Sequence, residues 1–192
     1  DPLRLRALDM LTEELFAAHL GQALDLALGA HLPHVPLRTS HYFVLARAKT
    51  GALVRIAARL GAIAAGGDPS REATLGAWAS EIGVAYQIGN DLDDFATGMQ
   101  DVVTCRPTYP LLLALEGEGR AAAALRVHFG RRELSDADAR ELRRLFAQER
   151  IVERGRAAAR RASKRALDMV RTLPLSSSRS ALEQVTHDLT AA

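Results

Sequence analysis

Tyr86-Gln87-Ile88-Gly89-Asn90-Asp91-Leu92-Asp93-Asp94 is the stretch that decides how this chain is read. It lies inside a long run that reads as helix. In a helix, residues three and four apart share a face. Gln87, Asn90, Asp91 and Asp94 therefore form one polar stripe, two turns long, while Asp93 points elsewhere. Residues 83–88 are largely apolar, so most of the helix is expected to be buried. Carboxylates on a buried helix are costly unless they are paired or hold a cation. Oxygen ligands on one face suit a hard cation, and Mg²⁺ takes one or two carboxylates and completes its shell with water and substrate phosphate.

Outward from this stretch the chain reads as helices with short breaks, and no strand-like alternation persists. Residues 3–30 place Leu8, Leu11, Leu15, Leu20, Leu24 and Leu28 close to a helical period. Residues 31–36, with Pro33 and Pro36, read as a loop. A second long helix is expected over 38–66, ending at Gly66-Gly67. Asp68-Pro69 is a start signal, with Asp as N-cap and Pro in the first turn. That helix carries the aspartates to about Phe95. Residues 96–106 read as a loop, and Pro107 opens a helix through Leu115, with Thr108 as its expected N-terminal cap. Ser135-Asp136-Ala137-Asp138 resembles a capping box with Asp in the Glu place, opening a helix to Arg150. Further helices are expected over 152–172 and 179–190. The expected class is all-α, a bundle of roughly eight helices in one domain, 1–192, with its site built in the core from facing helices.

Composition removes several function classes. The 192 residues suit one domain with a real core. A net charge of +2 gives no electrostatic reason to expect nucleic acid. The arginines crowded over 120–171, including Arg131-Arg132, Arg143-Arg144 and Arg160-Arg161, read as solvated helix faces. Cys105 is the single cysteine, so no intramolecular disulfide forms, and a cytoplasmic, reducing setting is expected. No run approaches the roughly 20 apolar residues of a membrane span, and no signal peptide is visible. His19, His31, His34 and His41 lack metal-ligand spacing and read as surface or loop residues. Lys49 and Lys164 are the only lysines among 25 basic residues, so a lysine beside Thr50-Gly51 hints that a compact ammonium is wanted there.

Tyr86-Gln87-Ile88-x-Asn90-Asp91-x-x-Asp94 resembles the second aspartate-rich motif of the trans-isoprenyl diphosphate (polyprenyl) synthases. Three more segments resemble that family in the same order. Gly21-Gln22-Ala23-Leu24-Asp25 is similar to its Gly-Gln-x-x-Asp segment, and Lys49-Thr50-Gly51 to its Lys-Thr-Gly/Ala segment. Arg106-Pro107-Thr108-Tyr109-Pro110 is similar to its Lys-x-Thr-Leu-Pro segment. The matched span corresponds to the C-terminal two-thirds of a family member.

The resemblance implies an isoprenoid-synthase-like bundle and a division of labour among these residues. Asn90, Asp91 and Asp94 would be the Mg²⁺ face, with Asn90 where the family has Asp. Lys49 and Arg106 would contact a diphosphate. Thr50 and Gln87 would point oxygens at the reacting carbon, making Lys49, Thr50 and Gln87 the catalytic group. Gln22 and Asp25 would flank the same cavity on the substrate side. The implied reaction condenses an allylic prenyl diphosphate with isopentenyl diphosphate. A class I terpene cyclase or lyase, and a non-catalytic subunit of a heteromeric synthase, are the alternatives. A homodimer is expected, or a heteromer in the subunit case. The family carries a further aspartate-rich motif upstream. Residues 1–85 hold only scattered acids, so the N-terminal helices are expected to be lacking from this sequence.

Overall fold

A computed structural model describes residues 1–31, 37–131 and 133–190. Residues 32–36, which include the expected proline loop and His34, lie outside the described residues, as does Arg132 of an arginine pair. Among the described residues every regular element is helical. They are α1 (Pro2–His31), α2 (Thr39–Ala46), a π-helical turn (Arg47–Gly51), α3 (Ala52–Ala64), α4 (Pro69–Thr97), α5 (Gln100–Val103), α6 (Tyr109–Leu115), α7 (Arg120–His128), α8 (Asp136–Gln148), α9 (Ile151–Val170) and α10 (Ser177–Thr190). No described helix is long and apolar enough to cross a membrane.

Two helix starts fall where local chemistry puts them. Asp68 Oδ1 accepts from the Arg71 N–H at 2.9 Å and caps α4. Ser135 Oγ accepts from the Asp138 N–H at 3.2 Å and caps α8. Its hydroxyl also donates to Asp138 Oδ2 at 2.7 Å.

Three expectations need correction. The helix expected over 38–66 is divided: the backbone stays right-handed through Ala46, Gly51 and Ala52, but Arg47–Gly51 widens into a π turn. The expected loop 96–106 contains the short α5, entered through Met99 at a φ of 51°. The helix expected from Pro107 starts at Tyr109, and Thr108 occupies the N-cap position without making a side-chain capping bond. Helix α7 is an addition, built on an alanine run of high helix propensity.

The chain divides into two compact units. The first comprises residues 1–22, 45–87 and 159–192. Its core joins Trp78, Ala79 and Ile82 of α4 to Ala166 and Val170 of α9, with Leu182 of α10 against them. The buried indole N–H of Trp78 donates to Thr186 Oγ1 at 2.9 Å, which satisfies the polar edge of the largest core side chain. The second unit comprises residues 23–44 and 88–158. Phe95 stacks on Phe146 with ring centroids 4.3 Å apart. Gly155 of α9 faces Leu92 so closely that a Cβ there would lie 2.9 Å from a leucine methyl. The arginines at 160 and 161 lie on the exposed face of α9, as their solvated reading requires.

Candidate active site

In the first unit, the π turn gathers three of the polar residues that the sequence marks. Thr50 donates from its hydroxyl to Gln87 Oε1 of α4 at 2.5 Å. Lys49 is the preceding residue of the turn, and all three are half-buried. The contact depends on glycines. A Cβ on Gly83 would lie 2.5 Å from Gly51 Cα, and one on Gly21 would lie 2.8 Å from Ala48 Cβ and 2.9 Å from the Lys49 nitrogen. Real Cβ atoms do not approach so closely, so hydrogen at these positions lets α1 and α4 close on the turn. Gln22, next to Gly21, is exposed. π-helical turns occur often at functional sites, where the extra residue redirects side chains.

In the second unit, the stripe is graded in exposure. Asp91 is buried, Asn90 is half-buried, and Asp94 and Asp93 are exposed. Asp91 Oδ2 accepts the Tyr109 N–H at 2.9 Å. Asp91 thereby caps α6 in place of Thr108, where the helix's positive end favours a carboxylate. Around it, Tyr42 meets Tyr109 edge-on with centroids 5.2 Å apart, and Phe43 lies 5.7 Å from Tyr109. The Tyr42 hydroxyl is buried beside the Asp91 carboxylate. Burial, then the nearby negative charge of Asp91, with Asp25 weaker, hold its proton on well above the usual tyrosine range. Asp25 is half-buried. Arg106 is exposed in the turn before α6, where its N–H donates to the Asp101 carbonyl and its own carbonyl accepts the Thr108 N–H.

The structure thus unites Thr50 with Gln87, keeps Lys49 in the same turn, and sets Asp25 near Tyr42. Sequence reasoning missed Tyr42, which belongs to no motif quoted above. The Mg²⁺ expectation can be tested on the donor set. Among the described residues no group of three or more His, Cys, Asp or Glu side chains is placed to hold a metal ion. Asp91 and Asp94, three residues apart on α4, nevertheless supply the one or two carboxylates that Mg²⁺ takes when phosphate and water complete its shell. A carboxylate has about four lone-pair positions, so capping α6 is compatible with holding a cation. Their donor types suit the ion.

Such a helical chain, with oxygen donors on one helix and a Lys-Thr turn beside a glutamine, has the isoprenoid-synthase fold. It belongs to the polyprenyl synthetase family, whose model matches residues 3–146. The chain is 41% identical over 116 residues to the farnesyl diphosphate synthase of Escherichia coli K12, a match covering 55% of this chain and 37% of that protein. It is 27% identical over 155 residues to the octaprenyl diphosphate synthase of Haemophilus influenzae, covering 74% and 46%. The fold overlays a polyprenyl synthase of Caulobacter crescentus, solved with calcium and isoprenyl diphosphate, at a TM-score of 0.83 and 26% identity, covering 97% of this chain and 58% of that one. The chain spans less than half the length of the curated relatives it matches.

Proposed function

We propose that this protein is a Mg²⁺-dependent prenyltransferase of the cytoplasm that joins an allylic prenyl diphosphate to isopentenyl diphosphate. The observation that carries the reading is the Thr50–Gln87 hydrogen bond made from a π turn beside Lys49. The printed functions of the relatives, farnesyl and octaprenyl diphosphate synthases, support it.

In this reading Lys49 and Arg106 bind the diphosphate, Lys49 as a compact charge and Arg106 as a planar fork. Asp91 and Asp94 would hold Mg²⁺ with Asn90 as a neutral oxygen donor, and the ion would neutralise charge building on the departing diphosphate. The Thr50 hydroxyl donates a hydrogen bond to Gln87 Oε1, so its oxygen lone pairs remain to face the allylic carbon as positive charge develops there. Gln22 and Asp25 would contact the substrate, as the family resemblance implies.

The protein acts as a homodimer in this reading. Large apolar side chains, Leu8 and Phe16 among them, are exposed along α1, and exposed apolar surface of this kind supports pairing. A monomeric mass by light scattering at micromolar concentration would count against pairing.

The test of activity is incubation with Mg²⁺, geranyl diphosphate and labelled isopentenyl diphosphate. In the full-length protein, labelled prenyl product that disappears in Asp91→Ala is the expected result. No product at any Mg²⁺ concentration overturns the reading. One residue favours a second reading, a non-catalytic subunit: Asn90 is neutral where the resemblance calls for Asp. A chain that is inert alone, yet raises the output of a separate synthase, would establish that alternative.

A further inference from the structure

The π turn that carries Lys49 and Thr50 is an interruption, and interruptions in a helix are loose unless something holds them. An inserted residue disturbs the regular hydrogen-bond ladder, and side chains commonly enter at such points. Here the side chain is Arg55, from the first turns of α3. Its Nη1 donates to the main-chain carbonyl of Arg47, the first residue of the turn, at 2.8 Å. The same Nη1 reaches Ser80 Oγ of α4 at 3.2 Å.

The guanidinium is not free to swing. Its Nε lies 3.0 and 2.8 Å from the two oxygens of Glu14 of α1, and its Nη2 lies 2.7 Å from Oε2. A two-pronged contact of this kind fixes the plane of the guanidinium as well as its position. Glu14 is itself buried, at 5% exposure, and is held a second time by Arg59 Nη1 at 2.8 Å. The opposite end of the turn is closed by backbone, where Gly51 lies against Gly83. Arg55 therefore anchors the start of the turn while the glycines anchor its end, and Thr50 lies between the two anchors.

We infer that Arg55, fixed in plane by Glu14, is a positioning residue that holds the π turn in register and so aims Thr50 at Gln87. It rests on the proposed function only for what that aim achieves. Neither Arg55 nor Glu14 is among the groups assigned to substrate or metal. A lysine at position 55 could reach the carbonyl or the carboxylate, but it has no fork to hold both in fixed relation.

The experiment is residue-resolved amide hydrogen exchange on the full chain and on Arg55→Gln, Arg55→Lys and Glu14→Gln, beside steady-state prenyl transfer. Arg55→Gln should speed exchange of the amides over 48–52 by about 10- to 100-fold, as loss of a charge-assisted hydrogen bond at a local opening does. Amides of α9 over 162–170 should not change. Glu14→Gln should give the same pattern more weakly, and it carries the test if Arg55→Gln does not fold. Arg55→Lys should not restore exchange, kcat should fall with KM for isopentenyl diphosphate held, and the double variant should be no worse than Arg55→Gln alone. Unchanged exchange over 48–52 overturns the inference, as does an equal rise in α9 or full recovery in Arg55→Lys. A wild-type chain with no prenyl transfer overturns the proposed function instead, and the exchange results then decide this inference by themselves.

Discussion

The main-chain N–H of Tyr109 donates to Oδ2 of Asp91 at 2.9 Å, so the buried carboxylate marked as a metal ligand also caps helix α6. These two roles separate by substitution. Asp91→Ala removes both: it should cost about 0.5–2 kcal/mol of stability through the lost cap and lower turnover by about two to three orders of magnitude through the lost charge. Asp91→Asn keeps an acceptor for the Tyr109 N–H, so its stability should stay near wild type while turnover falls as far as in the alanine variant. Urea melts and a Mg²⁺ titration of activity on the two variants measure this. Equal activity of Asp91→Asn and wild type would remove Asp91 from the metal face.

Thr50 and Gln87 should behave as one unit, because their side chains share a hydrogen bond of 2.5 Å. Thr50→Val keeps the shape but leaves Gln87 without this donor. Turnover should fall by about 10- to 100-fold, the effect of losing about one hydrogen bond's stabilisation in a buried setting. Thr50→Ser should retain most of the rate. Combining Thr50→Val with Gln87→Leu should cost clearly less than the sum of the single losses, since neighbours that share a bond are not additive. Additive losses in a double-mutant cycle would show that the two side chains act separately.

The polar stripe and the capping at Asp68 and Ser135 were legible because each depends on spacing within a few residues. The π turn was not, because Arg47–Gly51 keeps ordinary right-handed dihedrals at its borders and has no local sequence signature. Its causes are distant in the chain: Gly83 against Gly51, and Arg55 reaching back to the Arg47 carbonyl. Thr108 shows the same limit from the other side. Its residue type and position call for a cap, yet Asp91, 18 residues away, takes the N–H that begins α6. Helix propensity alone could have found α7, whose alanine run follows Gly119 directly.

The Glu14 cluster makes a prediction about acid. Burial by itself would push the Glu14 carboxyl up, but hydrogen bonds and charge from Arg55 and Arg59 outweigh it and hold the group below its ordinary value of 4.5. The folded chain therefore binds the proton less readily than the unfolded chain. The resulting stabilisation is complete above about pH 4.5 and is lost as pH falls through the lower folded value. In urea melts, the stability difference between wild type and Glu14→Gln should be constant from neutral pH to about pH 5 and shrink in more acidic buffer. A difference that grows on acidification would mean that the arginines do not control this carboxyl.

Two glycines test whether close helix approach, rather than helix flexibility, builds the Lys-Thr turn. Gly83 lies in α4 with Gly51 Cα 2.5 Å from where its Cβ would be, whereas Gly61 lies in α3 with nothing within 4 Å of that point. Gly61→Ala should stabilise the chain by about 0.5–1 kcal/mol, the ordinary gain from alanine inside a helix. Gly83→Ala gains the same propensity but must push Gly51 away, and backbone cannot yield as a flexible side chain does. It should destabilise by about 1–3 kcal/mol on balance. The displaced turn should also separate Thr50 from Gln87, so turnover should fall in Gly83→Ala and remain unchanged in Gly61→Ala. Thermal melts with parallel activity assays decide the matter. If both substitutions stabilise the chain and leave turnover intact, contact at Gly83 does not position the turn.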